Sequence, residues 1–192
     1  MKLGELGEKE VIVNFAIENE GNFKKCLLIG FNFDDIKKTV IIKFLRELKE
    51  ELRESLTDEW EIDITENPFV KFSGIFITKK NWDKKFSIGI EAQNIMARDI
   101  VIGIGKDGKK ITQKVGNGKL IDQLNAKGKP GRTSETWEWY RYLEGIYGNW
   151  DNEEALIEIY KKKDFVEFFK KQFLEIKDIA TPLIDDEMGI NK

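Results

Sequence analysis

Between Glu59 and Ile104 the apolar residues recur at every second position, and this periodicity limits the fold more than any other feature of the chain. Four segments carry it: Trp60-Glu61-Ile62-Asp63-Ile64, Phe69 to Ile77, Phe86-Ser87-Ile88-Gly89-Ile90, and Ile100-Val101-Ile102-Gly103-Ile104. Side chains alternate between the two faces of a strand, so a period of two predicts strands. The polar stretches at 65–68 and 79–85 are short enough for hairpin connections, which makes an antiparallel meander the economical arrangement.

What flanks the strands completes the class. Asp34 and Asp35 offer capping oxygens, and Ile41, Phe44, Leu45, Leu48, Leu52 and Leu56 follow at three- and four-residue spacing, predicting a helix over 34–57 that covers one face of the sheet. Its Lys43, Arg46, Glu47, Lys49, Glu50 and Arg53 form a solvated face of mixed sign. After a basic glycine-rich loop expected over 105–132, the chain is expected to be helical over 133–180, where Asp151 and Asp164 open two helical patterns. The stripe Phe165, Phe168, Phe169, Phe173, Ile176 and Ile179 in the second reads as core. Pro182 is expected to close the ordered part, with 183–192 fraying. Residues 9–33 are ambiguous: Val11, Val13, Phe15 and Ile17 alternate before a Glu20-Gly21-Asn22 turn signal, so a hairpin is the first expectation and a helix over 8–19 the alternative. The expected fold is one α+β domain over 1–192, an antiparallel sheet of four or more strands packed against helices.

Composition excludes several kinds of chemistry. The 192 residues include no histidine, which removes Ser-His and Cys-His hydrolases, imidazole zinc sites and histidine general bases. The single cysteine, Cys26, forms no internal disulfide and fits a reducing cytoplasm, where the protein is expected to reside. No window approaches the roughly 18 apolar residues of a membrane span, and MKLGELGEKE lacks a signal-peptide run.

The net charge of −3 hides a strong local asymmetry. Residues 103–132 hold seven glycines, seven lysines including Lys129, and Arg132, against Asp107 and Asp122, a local charge of +6 that leaves −9 elsewhere. Glycine-freed N–H groups and ammoniums can cradle phosphate; the same composition also suits a hairpin loop kept soluble by lysine. The order is not that of a P-loop, and Gly103-Ile104-Gly105-Lys106-Asp107-Gly108 has no βαβ unit around it to make a dinucleotide site. Directly after comes TWEWYRYLEGIYGNW, residues 136–150, in which Trp137, Trp139, Tyr140, Tyr142, Tyr147 and Trp150 are aromatic. A packed helix and turn account for most of these. One or two rings, Trp139 or Tyr142, are expected to stay open for base stacking beside the basic loop. The candidate ligand-binding residues are therefore Lys106, Lys109, Lys110, Lys114, Arg132, Trp139, Arg141 and Tyr142.

Acid clusters do not assemble into a catalytic signature. Glu61-Ile62-Asp63 and Glu91-Ala92-Gln93 lie in strands, but glutamine occupies the lysine position of an E-x-K motif, and Glu158-Ile159-Tyr160-Lys161 lies on a predicted helix. No catalytic residue, metal ligand or cofactor follows from these patterns.

The order Phe76-Ile77-Thr78-Lys79-Lys80-Asn81-Trp82, Phe86-Ser87-Ile88-Gly89-Ile90-Glu91, Trp137 to Tyr142 and Tyr147-Gly148-Asn149-Trp150 resembles the C-terminal accessory module of PD-(D/E)XK nuclease-like proteins of bacteria and phages. The resemblance spans about residues 70–180 and implies a binding module separated from its nuclease core, with no catalytic residue carried over. The expected function is non-enzymatic capture of a nucleotide or other phosphate-bearing ligand, as in a sponge serving anti-defence in phage–bacterium conflict. The alternatives are an inhibitor that binds a host protein through the aromatic segment, and a divergent metal-dependent nuclease. Self-association into a homo-oligomer is a further expectation, and no membrane partner is expected.

Overall fold

The structure is a computed structural model that describes residues 3–128 and 130–190, without the side chains of 3–6 and 8. The chain forms two compact units, residues 1–39 and 40–192.

In the first unit, α1 (Leu3–Glu18) and α2 (Glu20–Phe31) replace the expected hairpin, which is thereby corrected. Asn19 alone separates them, its Oδ1 accepting from the Asn22 N–H at 2.9 Å as an N-cap. The alternation of Val11, Val13, Phe15 and Ile17 misleads because Ile12 and Ala16 fill the gaps. A continuous apolar run has no period, and local hydrogen bonding then decides in favour of helix. The unit leaves Val11, Ile12, Ile17, Leu28 and Phe31 exposed, and α2 buries none of its residues. The helix α3 (Phe33–Ser55) begins here and continues into the second unit.

The second unit is a five-stranded antiparallel meander in the order β1-β2-β3-β4-β5. Its strands are β1 (Trp60–Ile64), β2 (Gly74–Lys79), β3 (Phe86–Asn94), β4 (Arg98–Lys106) and β5 (Trp137–Tyr142). The α+β class is as expected from the sequence. Residues 69–73 are not strand: the Phe69 N–H turns back to Asn67 Oδ1 at 3.1 Å, and Phe72 takes a φ of 63°. The segment 105–132, expected to be loop throughout, contains a 3-10 turn at Val115–Gly118 and the helix α4 (Lys119–Ala126), with Leu120 and Leu124 buried. Lys129 lies outside the described residues. The helical expectation over 133–180 is corrected at its start by β5, which satisfies the outer edge of β4, and holds for α5 and α6.

One face of the sheet meets the helices. The α3 residues Ile41, Phe44, Leu45, Leu48 and Leu52 share a core with sheet residues Ile75, Ile77, Ile88, Ile90, Ile102 and Ile104. Phe165, Phe169 and Phe173 of α6 (Lys163–Glu187) join them, and Phe44 meets Trp150 and Phe165 edge-on at 5.4 and 5.2 Å. The helix α5 (Glu153–Lys161) is capped by Asn152, whose Oδ1 accepts from the Ala155 N–H at 2.7 Å. Pro182 lies within α6, which runs on to Glu187, so the predicted end at Pro182 is too early; residues 191–192 lie outside the described part. The other face of the sheet carries no helix register and holds the candidate site.

Candidate ligand site on the open face of the sheet

Strand alternation places Phe76 of β2, Ser87, Gly89, Glu91 and Gln93 of β3, Gly103 and Gly105 of β4, and Trp137 and Tyr140 of β5 on the side away from the helices. The Phe76 ring lies across Gly89 so closely that a Cβ there would stand 2.3 Å from Phe76 Cδ1. A β-bulge between Ile104 and Gly105 shifts the β5 register, so that Trp137 faces Gly105 and lies 5.9 Å from the Tyr140 ring. Trp137 is buried yet stands outside the helix-side core. Phe72, Phe76, Phe86, Trp137 and Tyr140 thus wall a cavity of 650 Å³, within the range of about 300–1,000 Å³ usual for small-molecule sites.

Polar groups occupy its two ends. Lys84 and Lys85 enter from the turn between the 3-10 segment Lys80–Trp82 and β3, where Asp83 and Lys84 take φ values of 50° and 56°. Lys84 is exposed and Lys85 half-buried, and neither has an ion pair among the described residues. Glu91 and Gln93 lie farther along β3. From Lys85 to Glu91 is six residues, about 20 Å at a rise of about 3.3 Å per residue.

Glu91 is half-buried, and the loss of hydration raises its carboxyl above the ordinary carboxylate value; the Gln93 amide, donating to Oε1 at 2.8 Å, opposes the rise. Oε2 has no hydrogen-bond partner among the described residues. A carboxyl whose pKa is higher in the folded state supports the fold below its unfolded pKa and loses that contribution as pH rises through the folded value. Glu91→Gln is therefore expected to melt above the parent at pH 7 and to lose that advantage below about pH 4. Equal differences in Tm at the two pH values would remove burial of the charge as the cause.

The structure distributes the sequence-derived candidates differently. Lys106 reaches the cavity, but its ammonium is 3.0 Å from the buried Glu138 carboxylate, whose other oxygen accepts from the Val115 N–H at 2.8 Å. Lys109, Lys110 and Lys114 are exposed and do not line the cavity, and Lys110 lies 3.4 Å from Asp107. Trp139 is 2% exposed on the helix side, donating from Nε1 to Asn125 Oδ1 at 2.9 Å, which leaves no face for a ligand. Arg141 shares that side, bonded to Gln172 of α6 with its guanidinium 5.9 Å from the Trp139 ring. Arg132 and Tyr142 are exposed and pair with each other, guanidinium over ring at 5.6 Å, outside the cavity. Lys84, Lys85, Phe76, Glu91 and Gln93 were absent from the candidate set. The signal that could have found them is the alternation itself, which puts Phe76, Glu91 and Gln93 opposite the apolar isoleucines.

No group of three or more His, Cys, Asp or Glu side chains placed to share a metal ion occurs among the described residues. No helix among them is long and apolar enough to cross a membrane. The fold and this surface define an α+β protein with an aromatic-walled cavity on an uncovered sheet face. No family model, curated protein or solved structure matches the chain.

Proposed function

We propose that the protein captures a nucleotide, or a similar flat ligand bearing phosphate, in the open-face cavity, by binding without turnover. The observation that carries this reading is the joint presence of three aromatic rings, Phe76, Trp137 and Tyr140, around Ser87 and Gly105, with two lysines, Lys84 and Lys85, that have no ion pair among the described residues at one end. Rings of this kind stack on the π-face of any base, and ammoniums supply charge-assisted hydrogen bonds to phosphate oxygens. The basic segment 103–132 supports the site by its field and through the stem of Lys106, while the contacts come from the turn before β3.

Titration calorimetry of the full chain with purine and pyrimidine mononucleotides at low salt tests it. Binding should weaken about ten- to hundredfold on Phe76→Ala. The pair Lys84→Glu and Lys85→Glu should weaken nucleoside monophosphates far more than nucleosides, and raised salt should reproduce part of that loss. Absence of binding by every nucleotide, or affinities untouched by these changes, would overturn the reading.

A further inference from the structure

The far end of the cavity carries its own chemical selection. Glu91 presents Oε2 without a partner among the described residues, and Gln93, having given one amide N–H to Glu91 Oε1, presents its second N–H and its carbonyl oxygen. A carboxylate that only accepts thus stands two residues along one face of β3 from an amide that can donate or accept. Burial makes the uncompensated carboxylate costly, so the group gains most from a ligand edge that brings donors to it.

Among the common bases, one edge meets that demand. The Watson–Crick edge of guanine carries N1–H and the N2 amino group side by side, two adjacent donors that a carboxylate can accept together. Adenine and cytosine set a bare ring nitrogen beside a single amino group, which turns a lone pair toward the carboxylate. Uracil offers one N–H between two carbonyls, which would leave the second acceptor facing oxygen. The arrangement at Glu91 attracts the first and repels the other three, and specificity of this kind arises as much from the repulsion as from the attraction.

Resting on the nucleotide-capture reading, we infer that the ligand is a guanine nucleotide, its base edge read by Glu91 with Gln93 and its phosphate held by Lys84 and Lys85. The ring stacks among Phe76, Trp137 and Tyr140, and the sugar lies between the two polar ends. Gln93 acts both as a ligand partner, through its second N–H, and as the clamp that holds Glu91.

The test measures GMP, AMP, CMP, UMP, guanosine and adenosine against the full-length protein and Glu91→Gln. The parent should bind GMP about ten- to hundredfold tighter than AMP, the discrimination typical of a bidentate base contact. Guanosine should keep the preference over adenosine at lower affinity. Glu91→Gln keeps the shape and can still hydrogen-bond Gln93, so it should fold, lose most of the affinity for GMP and leave AMP unchanged or improved. Nucleotides that bind without a guanine preference, or a preference that survives Glu91→Gln, would sink this inference and leave nucleotide capture standing. Failure of every nucleotide to bind would remove both.

Discussion

Asp185→Ala is expected to destabilise the protein by about 3–5 kcal/mol, the loss usual when one partner of a buried ion pair is removed. Asp185 lies near the end of α6 with 7% of its side chain exposed; its Oδ2 accepts from Lys79 Nζ at 2.6 Å and its Oδ1 from Trp82 Nε1 at 2.8 Å. One carboxylate thus ties the last residue of β2 and the adjoining 3-10 turn to the final helix. Without it the Lys79 ammonium, 11% exposed, keeps only Glu59 at 3.8 Å, and the indole N–H of the fully buried Trp82 loses its acceptor. The cost comes mainly from the stranded partners, so the size of the loss exceeds what the pair contributes when intact. Thermal melting should register a fall of roughly 6–20 °C, taking about 2–4 °C per kcal/mol for a chain of this size. The double change Lys79→Met with Asp185→Leu should recover the part due to the stranded ammonium, and the remainder is the cost of the Trp82 indole N–H left without its acceptor. A loss below about 1 kcal/mol for Asp185→Ala, the ceiling for most solvent-exposed pairs, would show that Lys79 reaches water and that the tie is not structural.

The second large effect is expected at Gly103, where alanine should cost about 3 kcal/mol or more, the upper end of overpacking penalties. Gly103 pairs with Gly89 on one side and Tyr140 on the other, in the middle of the sheet. An added Cβ would stand 2.2 Å from the Trp139 carbonyl oxygen and 2.7 Å from Tyr140 Cα. Those are backbone atoms, so no rotamer change relieves the clash; β5 must move away from β4. The displacement would carry Tyr140, a wall of the cavity, and the buried Trp139 with it, so ligand binding should fall together with stability. Gly105→Ala is the matched control: its Cβ would lie 3.0 Å from Ser87 Oγ, a side chain that can turn aside. Its cost should stay below about 1 kcal/mol. Similar urea midpoints for the two variants would mean that the β4–β5 approach tolerates a methyl group, and the prediction would fail.

The contrast between Trp139 and Trp137 shows where the sequence could and could not be read. Both stand in TWEWYRY, and composition alone cannot tell them apart. A strand register sends Trp139 into the helix-side core, and the bulge at Ile104/Gly105 sends Trp137 to the open face. A one-residue offset reverses the role of every ring, which is why Trp139, expected from the sequence to stack, is buried on the helix side, while Tyr142 shares the face of Tyr140 and pairs with Arg132. The lysines divide in a similar way. The basic run is plain in the sequence, but Lys106 is consumed by Glu138, 32 residues later, and the cations at the cavity come from a two-lysine turn that composition did not single out.

By itself the sequence determined the α+β class, the meander of β1 to β4, the α3 face from Ile41 to Leu52 and the phenylalanine stripe of α6, because periodicity within a segment is a local property that burial on one face enforces. It also determined that histidine chemistry is excluded. Only the tertiary structure decided that residues 136–150 begin with an edge strand, that residues 3–31 are helical, and that Phe76, Glu91, Trp137 and Tyr140 surround one cavity. Those outcomes depend on which strand edge lacks a partner, on a bulge, on the Phe76 ring lying across Gly89 and on the close backbone approach at Gly103. Each is a relation between residues distant in the chain, and no local pattern encodes it.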